Sequence, residues 1–159
     1  MAKFNLELPD AIMKDIEKIY NNSDEIFGEM TKAGAEVVLN NVRSTAPTVI
    51  VHFAKTSKTY KTPSDGGINT KVYFSGYLPF KGNRTSFTRS GRNGKSYTTN
   101  KGIPVDFLAN VYEYGRSGAP FPKHPFFRKA FNKAMIEQAM LKTQKQASGG
   151  LLEWATLGH

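Results

Sequence analysis

Between Asn22 and Pro47 apolar residues recur at Ile26, Met30, Ala33, Val37 and Val38, the spacing of one helical face. Ala46–Pro47 closes the run, because a residue that precedes proline is pushed out of the α region. The pattern predicts a long helix over 23–45, with Asn22 as its N-cap and Glu25 completing a capping box. A helix of that length with one apolar face must be covered by the rest of the chain. Gly34, inside the stripe, is read as a tolerated glycine, with close approach of another backbone as the alternative.

What surrounds that helix alternates in type. Lys3–Leu8 reads as extended, and Pro9–Asp10 opens a short helix whose apolar positions are Ile12, Met13, Ile16, Ile19 and Tyr20. After Pro47, the β-branched Thr48–Phe53 predicts a strand, and the polar, basic stretch 55–67 predicts a mobile loop closed by Pro-Ser-Asp-Gly-Gly. Ile68–Phe80 alternates as a strand, with Val72, Phe74 and Leu78 on one phase. Residues 81–102 suit a protruding hairpin that turns at Gly91–Gly94. Ile103–Tyr114 returns to apolar character as a last strand stopped by Gly115, and Arg116–Pro122 is a Gly/Pro-rich link. From Pro125 a helix is expected to about Ala147, with Phe127, Phe131, Ala134 and Leu141 near its apolar face. Ser148-Gly149-Gly150 ends it and leaves an apolar tail, Leu151–Trp154.

Helices at the ends and strands between them predict one α+β domain over 1–159. Its parts are an N-terminal strand and short helix (1–22), the long helix (23–45), and a small antiparallel β-sheet (48–115) carrying loop 55–67 and hairpin 81–102. A C-terminal helix (124–147) and a tail (148–159) complete it. The chain has 159 residues, 39% of them hydrophobic, enough to bury a core without crosslinks.

Cysteine is absent, which excludes disulfides, thiolate catalysis and cysteine-based zinc sites. Met1–Asp10 lacks the basic start and apolar core of a signal peptide, and no run approaches the roughly eighteen apolar residues of a membrane span. A reducing compartment such as the bacterial cytoplasm fits, the lack of cysteine also suits a particle that must later survive outside, and no membrane partner is expected. Of the histidines His52, His124 and His159, none has a second ligand at metal spacing. Gly94-Lys95-Ser96 ends like a phosphate-binding loop, but Arg89 stands where the upstream glycine is needed and no helix pattern follows. Asp65, Asp106 and Glu113 are the only acids in the middle of the chain. The sequence therefore predicts no catalytic residue, no cofactor, no metal and no enzyme.

Charge is the more informative signal. The formal net charge is +9, yet residues 1–36 carry eight acids against four bases, while 37–135 carry sixteen bases against three acids. Within 81–102 stand Lys81, Arg84, Arg89, Arg92, Lys95 and Lys101 with no acid, interleaved with Phe87 and Tyr97. Such a mixture suits either stacked bases and phosphates or the acidic rim of a protein partner. Arg84, Arg89, Arg92 and Lys95, with Lys58 and Lys61 in the preceding loop, are the candidate interaction residues.

Three stretches in order resemble the tail-completion (neck, or head–tail joining) proteins of long-tailed siphophages. They are Val42–Pro47, where a helix closes on a small residue, Ala and Pro; Ala109–Gly115, similar to a tyrosine-containing strand ending in an aromatic-flanked glutamate; and Pro122–Phe131, resembling the proline–aromatic–basic start of the last helix. The motif positions are Pro47, Tyr112, Glu113, Tyr114, Gly115, Pro125, Phe126 and Phe127. Physically, Gly115 is expected to supply a positive φ, Glu113 to meet Arg116 or Arg128, and Phe126 or Phe127 to anchor the last helix. The intervening Thr48–Phe53 and the length of hairpin 81–102 depart from the family pattern.

The resemblance implies a structural virion protein at the head–tail junction: a hexameric or dodecameric ring of this chain between the head connector or stopper and the tail-terminator or tail-tube proteins. Non-specific contact with DNA in the ring lumen is compatible with it. The alternatives are a tail terminator capping the tube and a stand-alone basic nucleic-acid-binding module. Loops 55–67 and 81–102 are the expected docking segments.

Overall fold

A computed structural model describes residues 10–91, 93–116 and 121–147, and it is an α+β structure built on the long helix. Helix α1 (Asp10–Asn21) and helix α2 (Ser23–Thr45) are separated only by Asn22. Asn22 makes no side-chain cap; its carbonyl instead accepts the amide of Ile26 at 3.0 Å, so the expected capping box does not form. At the other end Ala46 is extended, ψ 149°, as the following proline requires. The stripe that α2 buries is Met30, Gly34, Ala35, Val38, Leu39 and Val42.

Thr48–Phe53 is not a strand. Ile50 and Val51 donate back to the Pro47 carbonyl at 3.0 and 3.1 Å, and Val51–Phe53 forms a single 3₁₀ turn. That turn drops Ile50, fully buried, onto the core. Strands follow as β1 (Ala54–Thr56), β2 (Tyr60–Lys61), β3 (Ile68–Asn69) and β4 (Val72–Phe74). β1 pairs with β4 and β2 with β3, both antiparallel, so the segment expected as a mobile loop is largely one hairpin. The register shifts by one residue between Thr56↔Val72 and Tyr60↔Asn69, a bulge in which Ser57 Oγ accepts the amide of Lys71 at 2.9 Å. This order is long-range in origin: the Thr70 hydroxyl meets Thr31 of α2 at 3.3 Å and Thr59 at 3.2 Å. Local residue types carry no sign of it.

β5 (Tyr77–Leu78) pairs with β8 (Ile103–Pro104), and between them projects the hairpin of β6 (Phe87–Ser90) and β7 (Ser96–Thr99). The expected protruding hairpin is thus present. At its base Gly102 is buried with φ 128°, and a Cβ there would stand 2.3 Å from the Leu78 carbonyl oxygen. Only glycine fits that crossing. Among the described residues the strands form four separate two-stranded antiparallel pairs instead of one small sheet.

The last expected strand is a helix. α3 spans Val105–Tyr114, entered from Pro104 and ended at Gly115 with φ 77°. Val105, Leu108, Ala109 and Tyr112 recur at the helical period and meet the core, overriding the β preference of Val, Phe and Tyr. The C-terminal helix is two pieces, α4 (Phe127–Ala130) and α5 (Lys133–Ala147). Asn132 interrupts them, its side-chain oxygen accepting the amide of Met135 at 3.3 Å. The turn of the chain at Phe131–Asn132 rotates α5, so Phe131 and Leu141 are exposed and Ile136 and Met140 face α2.

One cluster holds these elements together: Val38, Leu39 and Val42 from α2, then Ile50, Ala54, Phe74, Val105, Phe126 and Ala130. Phe74 and Phe126 meet edge to face, ring centroids 5.8 Å apart. Lys3–Leu8, the tail 148–159 and the centre of the link after Arg116 lie outside the described residues.

Candidate interaction surface

The three motif stretches converge on one joint. Glu113, at the end of α3, is the one charged side chain buried among the described residues. Its carboxylate accepts the backbone amides of Phe127 at 2.9 Å and Arg128 at 3.3 Å, and the Arg128 Nε stands 3.5 Å away. A buried carboxylate is costly unless hydrogen-bonded and paired, and here it is both. Of its two expected arginine partners, Arg128 is the one in contact. The Arg128 guanidinium also lies over the Tyr114 ring, 5.1 Å from its centre.

α2 joins from the other side. Asn41 donates to the Ala130 carbonyl at 3.0 Å, and Thr45 Oγ1 to the Phe126 carbonyl at 3.3 Å. Phe126 is buried and Phe127 half-buried, so Phe126 is the main anchor. The half-buried Pro47 and Pro125 set the chain's turns on either side. Tyr112 packs edge to face on Phe121 at 5.2 Å, and its carbonyl accepts the amide of the exposed His124. These residues build the joint between three helices.

The basic residues have separate fates. Lys58 and Lys61 are both exposed, and Lys61 is drawn to Asp24 at the start of α2. In the projecting hairpin, Arg84 is exposed, donates to the Ser86 carbonyl and lies 5.7 Å from the centre of the Phe87 ring. Arg89 pairs with Asp106 of α3 at 3.1 Å, an exposed pair that orients the arm more than it stabilises it. Lys95 is exposed beside the turn, where its carbonyl accepts the amide of Gly91. Arg92 lies outside the described residues. Gly94-Lys95-Ser96 runs from this turn into β7, not into a helix, which removes the geometry of a phosphate-binding loop.

One hairpin side chain turns inward. Phe87 is buried against Phe107 of α3, ring centroids 4.9 Å apart in an edge geometry. Between the arm and α3 runs an open groove of about 650 Å³, with Arg84, Arg89 and Arg116 on its rim and Phe107, Leu108 and Val111 in its wall. Sequence reasoning missed this groove because it treated Phe107–Val111 as a strand; the i, i+1, i+4 spacing of those three residues was the available signal. It also missed the partnership of Asp106 with Arg89.

Among the described residues no group of three or more His, Asp or Glu side chains could hold a metal ion. No described helix is long and apolar enough to cross a membrane. Comparison with family models, curated proteins and solved structures returns no match for this chain.

Proposed function

We propose that this chain is a structural component of a siphophage virion that forms a ring at the head–tail junction, in the manner of a tail-completion protein. The observation that supports this reading is the convergence of the three resembling stretches. Residues far apart in sequence, Thr45, Glu113 and Phe126–Arg128, meet in one hydrogen-bonded joint beside the core. The projecting arm adds a second support, since it carries concentrated positive charge on a hairpin that lies outside the central cluster. Phe87 anchors the arm on α3, and the exposed residues beyond it, Arg89 and Asn93–Thr98, are available to a neighbouring subunit.

In this reading catalysis plays no part. The ring forms by subunit contact, and the arms engage the head connector or stopper on one side and the tail-terminator or tail-tube proteins on the other. Arginines left on the lumen side meet DNA without reading its sequence, through phosphate alone. The second reading, a stand-alone nucleic-acid binder, is favoured by the exposed Arg84 and Tyr97 on the arm. A gel shift at two salt concentrations separates them: a free-standing binder holds duplex DNA at about micromolar Kd with steep salt dependence. A ring subunit binds far more weakly as a monomer.

The direct test is deletion of residues 84–97 in the phage that encodes the chain. The central core cluster has no member in that segment, and the deletion removes one buried contact, Phe87 on Phe107. The domain is therefore expected to fold, which circular dichroism of the purified variant checks. Unjoined heads and tails should accumulate in lysates viewed by electron microscopy. A normal yield of joined particles contradicts the reading.

A further inference from the structure

Helix α1 carries an apolar face that the other described residues leave exposed. Met13, Ile16 and Tyr20 follow one stripe at spacings of three and four and are 46%, 49% and 79% exposed. Glu17 falls beside Met13 and Tyr20 on the same side of the helix and is also exposed. α1 itself carries Asp10, Asp15 and Glu17 against Lys14 and Lys18, so Glu17 is the acid that borders the stripe. An isolated surface apolar residue needs no explanation, but a continuous apolar helix face edged by acid is the form of a docking helix.

The groove between the hairpin arm and α3 has the opposite character. Phe107, Leu108 and Val111 give it an apolar strip beside the polar Thr88, Ser90 and Asn110, and Arg84 and Arg116 make it basic. Among the rim arginines Arg89 already has an acid, Asp106. Residues 81–102 offer six bases and no acid around it.

We propose that α1 of one copy of this chain docks in the arm–α3 groove of the next copy, with Met13, Ile16 and Tyr20 against Phe107, Leu108 and Val111 and Glu17 facing Arg84 or Arg116. Charge favours this occupant: Glu17 beside the apolar stripe meets arginines beside the apolar residues of α3, and both surfaces belong to the same chain. The contact joins two different surfaces, so it is head-to-tail, and repetition closes a ring or extends a filament. One helix face is a small interface, so a single contact is weak and closure makes it stable, because the last subunit binds at both ends. This inference rests on the ring reading and names the surfaces that would build it.

The test is sedimentation velocity on the purified full chain over a range of concentrations, at about 0.05 M and about 0.5 M salt. Wild type is expected to self-associate, more weakly at high salt. Ile16→Asp, at an exposed position, should leave the circular dichroism and melting temperature unchanged while weakening association by about tenfold or more. Arg84→Glu with Arg116→Glu should weaken it comparably, and adding Glu17→Lys to that pair should restore part of it. A wild type that stays monomeric throughout overturns the proposal, as does I16D associating like wild type. Arginine variants that lose duplex DNA binding but keep self-association also overturn it and assign the groove to a polyanion. The ring reading fails on a different result, absence of the chain from particles, so the two failures are distinct.

Discussion

At the scale of single residues, Glu113 shows how much one side chain can organise. Its carboxylate satisfies two backbone amides at the start of α4 and pairs with Arg128, all from a position that is 6% exposed. Replacing it by alanine leaves those two amides without an acceptor and Arg128 without its acid. Glu113→Ala is expected to destabilise the fold by about 2–4 kcal/mol, and Glu113→Gln by less, since the amide oxygen still accepts one of the two bonds. Urea denaturation followed by circular dichroism measures both, and an alanine variant as stable as wild type refutes the assignment. The importance of this residue was visible in the sequence, and so was Arg128 as one of two partners. Its setting was not, because Val, Phe and Tyr around it favour a strand by type and only the spacing of Val105, Leu108, Ala109 and Tyr112 reports a helix.

At the scale of elements, the readable parts were those whose signals are local. α2 has a periodic stripe and a proline stop, and the arm has its turn glycines, so both were legible. The hairpin of β1–β4 was not, since threonine contacts with α2 order a sequence that is polar and loop-like by itself. The C-terminal helix was read as continuous because the α4–α5 break depends on where Asn132 caps, not on a proline or glycine. Gly34 belongs to this scale as well. A Cβ there would lie 3.2 Å from both Ile136 Cγ2 and Met140 Cγ, so glycine lets α5 settle on α2. What comes close is the side chains of α5, not another backbone, so neither reading of this glycine describes the packing. Gly34→Val should cost about 1–3 kcal/mol through this crowding, seen as a lower melting temperature. No loss would mean that α5 does not pack there as described.

At the scale of the whole molecule, the chain separates its charge: acid on the opening helices, base on the arm and the segments after α2. Both the proposed ring and its proposed head-to-tail contact follow from that asymmetry, since a subunit with two complementary surfaces is suited to repeat. The α+β architecture was legible from composition and element order, whereas the groove that gives the asymmetry a shape exists only once α3 is a helix. The central claim is that the folded domain is a part of a particle. Quantitative mass spectrometry of purified infectious virions tests it most directly. The chain should be present at on the order of six or twelve copies per particle, the count of one closed ring. Infectious particles from which it is missing would contradict the account.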